Sequence, residues 1–411
     1  MKPRLYRFAL LALTLCLLSI AAAAQDLAPP IPQKLVVHSD VLKEDRVIWI
    51  RTPRGYDQSK HPFAVLYLTD GPDHINEIGS TIDFLVDNNR MPPLIVVGIA
   101  NTDRTRDLTP SHDAEKRPDG TEASPTSGGA DRFLEFIRDE LMPEIDKRYR
   151  TARYRIFAGH SFGGLLAIHI LITHPDMFAA YIAVSPSLQW DHQHTLHQAQ
   201  QFFPAHAELK KTLFFSLGNE GNTPNPMGEG FEELQKTLTA KAPQGFRWDS
   251  ARYRDEDHGS TVLRGHYAGL RTIFADWQMP RDPASGFPVG GLEGVEKHYR
   301  ELSVRYGYQI PVPENVLNNL GYQLMGTKKI DEAIAVFQHN VELYPGSANV
   351  YDSLGEGYEN AGKFDLATER VQKAIDMGVK IHDPNLDAYK DHLKRVTKEA
   401  KAAAEKPATN N

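Results

Sequence analysis

Cysteine is almost missing from this chain of 411 residues, and the one present, Cys16, lies in the N-terminal apolar stretch. Residues 1–24 have the three parts of a secretory signal peptide: a basic start, an apolar run from Phe8 to Ile20, and small residues at Ala21–Ala24 as a cleavage site. Cleavage would leave a chain without cysteine. That excludes disulfides, thiolate metal sites and a cysteine nucleophile.

A basic block and a second long apolar run are also lacking. The formal net charge is −7, and removing the signal peptide, which holds three basic and no acidic residues, would move it to −10. An acidic chain without a basic patch is not expected to bind nucleic acid. No later stretch is apolar for long enough to span a bilayer. We therefore expect a periplasmic or secreted protein with no membrane span in its mature form.

The chain does contain the pentad G-H-S-F-G at 159–163, followed by Gly164. A β-prone run at 154–158 precedes it, and a helix-like apolar run at 165–171 follows it. A G-x-S-x-G pentad between a strand and a helix is typical of a nucleophile elbow, in which a sharp turn exposes the serine hydroxyl above a sheet. The pattern predicts that Ser161 is a nucleophile in acyl chemistry. The alternative is a glycine-rich loop with an incidental serine.

Apolar runs and helical patterns alternate along the first two thirds of the chain. Runs such as 62–68 and 93–99 are short and continuous, as in strands that are buried on both faces. The alternation predicts an α/β fold with a mostly parallel, doubly covered sheet. Two stretches, 101–129 and 186–206, have the composition of loops, and we expect them to build the substrate pocket.

A repeat with a period of 34 residues follows the proline- and glycine-rich stretch 278–291: Leu320-Gly321 recurs as Leu354-Gly355, with further matches at the same spacing. This is the tetratricopeptide (TPR) period, in which small residues let two antiparallel helices pack closely. Helices at 292–306 and 385–400 are predicted to flank the repeats. We expect the repeats to bind a protein partner or to mediate self-association.

A serine hydroxyl needs an oriented base, usually a histidine, to take its proton. In this class of sheet the order along the chain is serine, acid, histidine. His258 fits the base, because it follows the last strand-like run and precedes a closing helix predicted at 260–277. That position is a loop at the carboxyl edge of the sheet, where open α/β folds bind their ligands.

The acid that orients the histidine should follow the next strand after the elbow. Glu220 lies there, just after the strand predicted at 212–217. Glu229 and Glu232 are alternatives, because the glycine-rich loop predicted at 221–231 could fold back toward the site.

The oxyanion hole needs two N–H donors aimed at the developing charge. Phe162, the residue after the nucleophile, supplies one. The second should come from the loop after the strand that ends at Leu68. Pro72 has no N–H, so Gly71 or Asp73 must donate.

Other histidines are predicted to be structural: His169 and His174 lie on or just after the elbow helix, and His266 lies within the closing helix. The histidines at 192, 194 and 197 could suggest a metal cluster. The carboxylate pattern of a metallohydrolase is missing, and we predict a solvated, loop-like flap instead. No metal and no cofactor is expected.

Taken together, these motifs resemble a known family. L-Y-L-T-D-G at 66–71, the stretch 101–110, the elbow, S-P-S-L-Q-W at 185–190 and D-H-G-S at 257–260 are similar, in this order, to the "putative esterase" (esterase D-like) branch of the α/β-hydrolases, with siderophore trilactone esterases as near relatives. The resemblance covers residues 35–278 and implies an α/β-hydrolase fold. For the site it implies Ser161 as nucleophile, His258 as base, Gly71 or its neighbours together with Phe162 at the oxyanion hole, and Trp190 near the acyl or leaving-group pocket. It also allows a Ser–His dyad in which Glu220 is dispensable.

The predicted function is that of a serine hydrolase that cleaves a small-molecule or polymer-linked carboxylic ester through an acyl-enzyme. One alternative is an interaction protein whose TPR repeats bind a partner while the hydrolase domain is a scaffold. Another is an acyltransferase or peptidase on the same fold. The predicted organisation is a signal peptide at 1–24, an α/β-hydrolase esterase domain at 25–280, a linker at 281–291, a TPR-like helical repeat domain at 292–402 and a disordered tail at 403–411.

Overall fold

The computed structural model describes residues 30–57, 59–220 and 225–405. The predicted signal peptide with Cys16, and positions 406–411 of the predicted tail, lie outside these residues. Across the described ranges, no helix combines the length and apolar content needed to cross a membrane. The chain forms two compact units: the first runs to Gln278 and includes Tyr306–Tyr308, and the second comprises Met279–Arg305 and the residues from Gln309 onward.

An eight-stranded sheet forms the centre of the first unit. Its strands are β1 Gln33–Ser39, β2 Glu44–Arg51, β3 Phe63–Leu68, β4 Leu94–Ile99, β5 Thr151–His160, β6 Ala180–Val184, β7 Thr212–Leu217 and β8 Arg247–Arg252, in the spatial order β1-β2-β4-β3-β5-β6-β7-β8. The β1–β2 and β2–β4 pairs are antiparallel, and all the other pairs are parallel. The predicted mostly parallel α/β sheet is confirmed.

Helices cover both faces of this sheet. They are α1 Gly71–Asp87, α2 Arg104–Leu108, α3 Ala130–Phe136, α4 Met142–Arg148, α5 Phe162–Thr173, α6 Trp190–Ala205, α7 Pro226–Lys241 and α8 Thr261–Ile273, with a π-helical turn at Ile137–Leu141 and a 3-10 turn at Ala275–Trp277. Every residue of β3, β4, β6 and β7 is buried. Double coverage explains why these strands are continuous apolar runs rather than alternating ones.

The loop predicted at 186–206 is wrong for most of its length, because α6 occupies it. Leu196, Ala199 and Phe203 follow helical spacing and are buried on one face. The many histidines and glutamines between them hid this spacing. Near its start the chain bends through three consecutive residues with positive φ, at 191–193.

The glycine-rich loop predicted at 221–231 is also wrong from Pro226 onward, where α7 begins. The side chain of Asn225 accepts a hydrogen bond from the Gly228 N–H at 2.9 Å and caps the helix. A capping Asn followed by Pro at the first helical position is a helix start signal. The burial of Phe231 and Leu234 against the core further stabilises α7 and outweighs the cost of its two glycines.

The second unit consists of helices. They are α9 Gly291–Tyr306, α10 Glu314–Gly326, α11 Ile330–Leu343, α12 Ala348–Asn360, α13 Phe364–Ile381 and α14 Leu386–Ala404. The start of α12 lies 34 residues after that of α10, and the start of α13 lies 34 residues after that of α11, the TPR period.

The same close contact occurs in both repeats. A Cβ placed on Gly321 would lie 2.3 Å from the Phe337 ring, and one on Gly355 would lie 2.5 Å from Val371. Only glycine lets the two helices of each pair approach so closely. The predicted TPR-like helical region is confirmed.

A buried ionic cluster joins α14 to α12. His392 Nδ1 lies 2.7 Å from Asp352 and its Nε2 lies 3.2 Å from Glu359, which also pairs with Arg395 at 2.8 Å. A neutral imidazole can donate from one nitrogen only, so both contacts are satisfied when the ring is protonated. Burial alone would lower the pKa of His392, but the hydrogen bond and charge of Asp352, together with the charge of Glu359, raise it.

We expect the protection of α14 to depend on pH. Because the folded pKa of His392 is raised, its stabilising contribution is complete below the ordinary histidine value of about 6.5 and is lost as pH rises through the folded pKa. Charge-assisted hydrogen bonds of this kind contribute about 1.5–3 kcal/mol. Hydrogen exchange of α14 amides should therefore quicken with rising pH beyond the intrinsic rate increase. His392→Asn should remove this additional increase in the exchange rate. If the additional increase is unchanged in the variant, His392 is not the group that stabilises α14.

Candidate active site

The turn between β5 and α5 contains Ser161 in a strained backbone conformation, with φ 60° and ψ −115°. A non-glycine residue at positive φ is costly and persists where the surroundings impose it. The surroundings here are tight: a Cβ on Gly159 would lie 2.3 Å from the Gly163 carbonyl carbon. The Ser161 N–H donates to the Val184 carbonyl at 2.9 Å. This is the geometry that the elbow pattern predicts.

His258 lies in the loop after β8, at the carboxyl edge of the sheet, and contacts Glu220. His258 Nδ1 is 2.8 Å from Glu220 Oε2. The Ser185 hydroxyl donates to the other carboxylate oxygen, Oε1, at 2.8 Å. Burial alone would raise the pKa of Glu220, but the hydrogen bonds from His258 and Ser185 outweigh it and lower the pKa. An ionised Glu220 accepts the Nδ1 proton and leaves a lone pair on His258 Nε2.

Of the three predicted acids, the structure brings Glu220 to the histidine and leaves the other two on α7. The Glu229 side chain is exposed. Glu232 is exposed and pairs with Arg252 at 2.7 Å. The helix explains this separation, because it replaces the flexible segment that would have been needed to fold back.

Ser185 was not assigned a role from the sequence. It follows β6, and its Oγ accepts the Gly218 N–H at 3.1 Å while its proton goes to Glu220. Its position directly after a central parallel strand is a signal that could have identified it, since such positions meet at the ligand-binding edge.

The Ser161 hydroxyl lies 3.3 Å from the Ser187 hydroxyl. Among the described residues, Ser161 Oγ contacts this hydroxyl and makes no direct hydrogen bond with His258. The histidine loop is nevertheless joined to the elbow, because His160 Nε2 lies 2.7 Å from the His258 carbonyl oxygen. Catalytic hydrogen bonds are often long or misaligned before substrate binds.

Both predicted oxyanion donors are first residues of helices: Phe162 begins α5 and Gly71 begins α1. The first N–H groups of a helix have no intrahelical partner. The other candidate, Asp73, donates its N–H to the Asp70 carbonyl at 3.0 Å, so it is already engaged. Gly71 is tightly placed, since a Cβ there would lie 2.4 Å from the Gly98 carbonyl carbon.

An ion pair fixes the loop before Gly71. Asp70 accepts hydrogen bonds from Arg104 Nε at 2.7 Å and from Asn101 Nδ2 at 2.6 Å. Burial would raise the pKa of Asp70, but Arg104 and Asn101 lower it, so the pair stays charged. Arg104 also donates to the His160 carbonyl at 3.2 Å. The arginine thus connects the loop before Gly71 with the strand that ends at the elbow.

A cleft of about 780 Å³ opens beside the elbow. Phe162 and Trp190 form an aromatic wall, with ring centroids 5.0 Å apart and nearly perpendicular planes. The rest of the lining lies within 112–124 and 189–192, both parts of the stretches predicted to build the pocket. Three acidic residues line the cleft: Asp113, Glu115 and Asp191. No Lys or Arg is found among the described residues of its lining.

Two histidines predicted to be structural are buried in contact with carboxylates. His169 is buried and contacts Asp131 at 2.9 Å, and His266 is fully buried with its Nδ1 2.8 Å from Glu77. Of the histidines predicted on a solvated flap, His192 is exposed in the kink of positive-φ residues, whereas His194 and His197 lie on the helical part of α6. Within the described ranges, no group of three or more His, Cys, Asp or Glu side chains is arranged so that it could hold a metal ion.

Comparison with known proteins gives consistent matches. The model of the family described as "Putative esterase" matches residues 39–251. Ferri-bacillibactin esterase of Bacillus subtilis is 31% identical over 221 residues, covering 49% of this chain and 75% of that protein. Siderophore enterobactin esterase of Emericella nidulans is 30% identical over 205 residues, covering 41% and 67%. A crystal structure of an IroE-like serine hydrolase from Shewanella oneidensis has a TM-score of 0.66 at 31% identity, covering 76% of this chain and 100% of that one.

Proposed function

The chain belongs to the "Putative esterase" family and is a carboxylic ester hydrolase, and we propose that Ser161, His258 and Glu220 perform its reaction through an acyl-enzyme intermediate. The observation that supports this most is the contact of 2.8 Å between His258 Nδ1 and the buried carboxylate of Glu220, beside a strained serine turn. Serine acylation needs a base with a fixed tautomer, and the contact with Glu220 fixes the tautomer of His258.

In the proposed reaction the Ser161 hydroxyl turns from Ser187 toward His258 Nε2. Its oxygen bonds to the ester carbonyl carbon while its proton passes to Nε2, and Glu220 stabilises the imidazolium. The N–H groups of Phe162 and Gly71 stabilise the resulting oxyanion. The bond to the alcohol oxygen then breaks, and Nε2 returns the proton to the leaving alcohol. Water attacks the acyl-enzyme by the same route, which releases the carboxylic acid and restores the serine.

For the substrate class we propose an ester of the kind found in siderophores. The two curated relatives named above act on ferri-bacillibactin and enterobactin by their names, and the first is matched over 75% of its length. The volume of the cleft is in the range that holds a small-molecule ligand, and its aromatic wall offers a surface for an aromatic or aliphatic acyl group.

We also propose a periplasmic or secreted location, based on the basic, apolar and small-residue segments of 1–24. The TPR-like unit is proposed to bind a protein partner or a second copy of the chain, because stacked repeats present extended binding surfaces.

An ester panel with matched charges tests the reaction and the cleft together. Esters that share one acyl group and differ only in a neutral, trimethylammonium or carboxylate alcohol part should all be hydrolysed faster than the matching amide. The carboxylate ester should have the lowest kcat/KM, by about fivefold, because one unit charge near Asp191 amounts to about 1 kcal/mol in water. Asp191→Asn should narrow the difference in kcat/KM between the carboxylate ester and the other two esters. Asn is a suitable replacement because it tolerates the left-handed backbone at this position.

The control for this panel is Asp387→Asn, which removes the same charge from α14, where the side chain is 93% exposed. It should leave the ratios unchanged. Turnover of the amide at a rate similar to that of the esters would point to a peptidase. Equal values for the three esters would contradict the acidic cleft as a determinant of substrate choice.

A further inference from the structure

His160, the second residue of the elbow pentad, makes a contact that the proposed reaction does not use. It ends β5 directly before Ser161, and its side chain points to the loop of His258. Its Nε2 lies 2.7 Å from the His258 carbonyl oxygen, and the two ring centroids are 4.6 Å apart. Because a carbonyl oxygen only accepts hydrogen bonds, Nε2 must carry the proton.

The protonation state of His160 keeps this hydrogen bond constant. Burial and the neighbouring His258 lower the pKa of His160 to about 4. The ring is therefore neutral near pH 7, and it holds one proton. That proton is committed to the His258 carbonyl.

The other side of His160 is braced by further side chains. The His74 ring stands edge-on to it, with centroids 6.0 Å apart, and His74 in turn lies 5.9 Å from the fully buried His266. Glu77 holds His266 Nδ1 at 2.8 Å. Arg104 holds the His160 carbonyl at 3.2 Å. The imidazole of His160 thus has a defined place between the body of the domain and the histidine loop.

We propose that His160 is a positioning residue that holds the backbone of His258 at the elbow by donating its Nε2 proton to the His258 carbonyl. This rests on the proposed role of His258 as the base. The imidazole of His258 is then fixed from two directions: Glu220 holds its Nδ1, and His160 holds its main chain. His160 is adjacent to Ser161 at the end of β5, so this hydrogen bond connects the nucleophile with the loop of the base. A shift of the His258 loop would change the distance across which the proton moves.

A near-isosteric pair of variants tests the donor itself. His160→Gln keeps an N–H donor at the end of an unbranched side chain, whereas His160→Met has almost the same shape and no donor. We expect Met to lower kcat by about 10- to 100-fold with KM changed less than about threefold, since a displacement of about 1 Å costs on this scale. Gln should stay within about threefold of wild-type kcat. The readout is steady-state turnover of a neutral ester together with the rate of labelling by a fluorophosphonate.

Near-UV circular dichroism and thermal melting of both variants separate positioning from folding. If the Met variant does not fold, His160→Phe replaces it, because Phe keeps a ring against His74 and lacks the donor. Equal loss in the Gln and donor-free variants, or wild-type kcat without a donor, overturns the proposal. Ser161→Ala is assayed in parallel: if it retains turnover, the proposed function fails, whereas its inactivation with a fully active Met variant overturns the role of His160 alone.

Discussion

Ser161→Ala is expected to lower kcat for ester hydrolysis by about 10⁴- to 10⁶-fold while the protein stays folded. The loss is large because the hydroxyl oxygen is the atom that forms the acyl-enzyme bond. The fold should survive because alanine keeps the Cβ and therefore the same backbone strain at φ 60°. The hydroxyl makes one recorded contact among the described residues, with Ser187 at 3.3 Å. Turnover of a neutral ester and labelling by a fluorophosphonate measure the effect.

Ser187→Ala is the matched control for this prediction. It removes the other hydroxyl of the same pair and leaves the nucleophile, so turnover should remain within about tenfold of wild type and labelling should persist. Labelling that persists in Ser161→Ala and disappears in Ser187→Ala would show that Ser187, and not Ser161, is the nucleophile. Wild-type turnover by Ser161→Ala would refute the acyl-enzyme mechanism.

Glu220→Gln is expected to lower kcat by about 10³- to 10⁴-fold with little change in stability. The Ser185 hydroxyl donates to the Oε1 position, so the glutamine oxygen should occupy that place. Its NH₂ group then faces His258 Nδ1, where the carboxylate now accepts a proton. The imidazole must shift its proton to Nε2, and Nε2 can no longer act as the base. The measurement is kcat on a neutral ester, with melting temperature as the check on folding.

Glu229→Gln and Glu232→Gln are the controls, because they make the same chemical change on the exposed face of α7. Both variants should keep kcat within about twofold of wild type. Their stability should also stay close to wild type, since surface substitutions alter it by about 0.5 kcal/mol or less. A Glu220→Gln variant with more than about one tenth of wild-type kcat would contradict a triad and favour a Ser–His dyad.

Local patterns in the sequence predicted much of both units. The runs at 62–68 and 93–99 are strands because a strand covered on both faces needs apolar residues at every position. The 34-residue period predicted the paired helices, because each repeat must use the same small residue at the same close contact. The helices at 190–205 and 226–241 were missed because their polar or glycine-rich composition hid a narrow apolar face.

The nucleophile candidate could be identified from five consecutive residues around Ser161, because the strained turn of an elbow depends on the small residues beside the serine and needs no distant partner. The acid that contacts the histidine is known from the three-dimensional fold, because Glu220 and His258 are 38 residues apart in the chain and come together where β7 and β8 pair in parallel. The same holds for the contact of His160 with the His258 carbonyl, across 98 residues. Short-range sterics can be inferred from neighbouring letters. Contacts between distant segments depend on which strands pair in the sheet, and no local pattern contains that information.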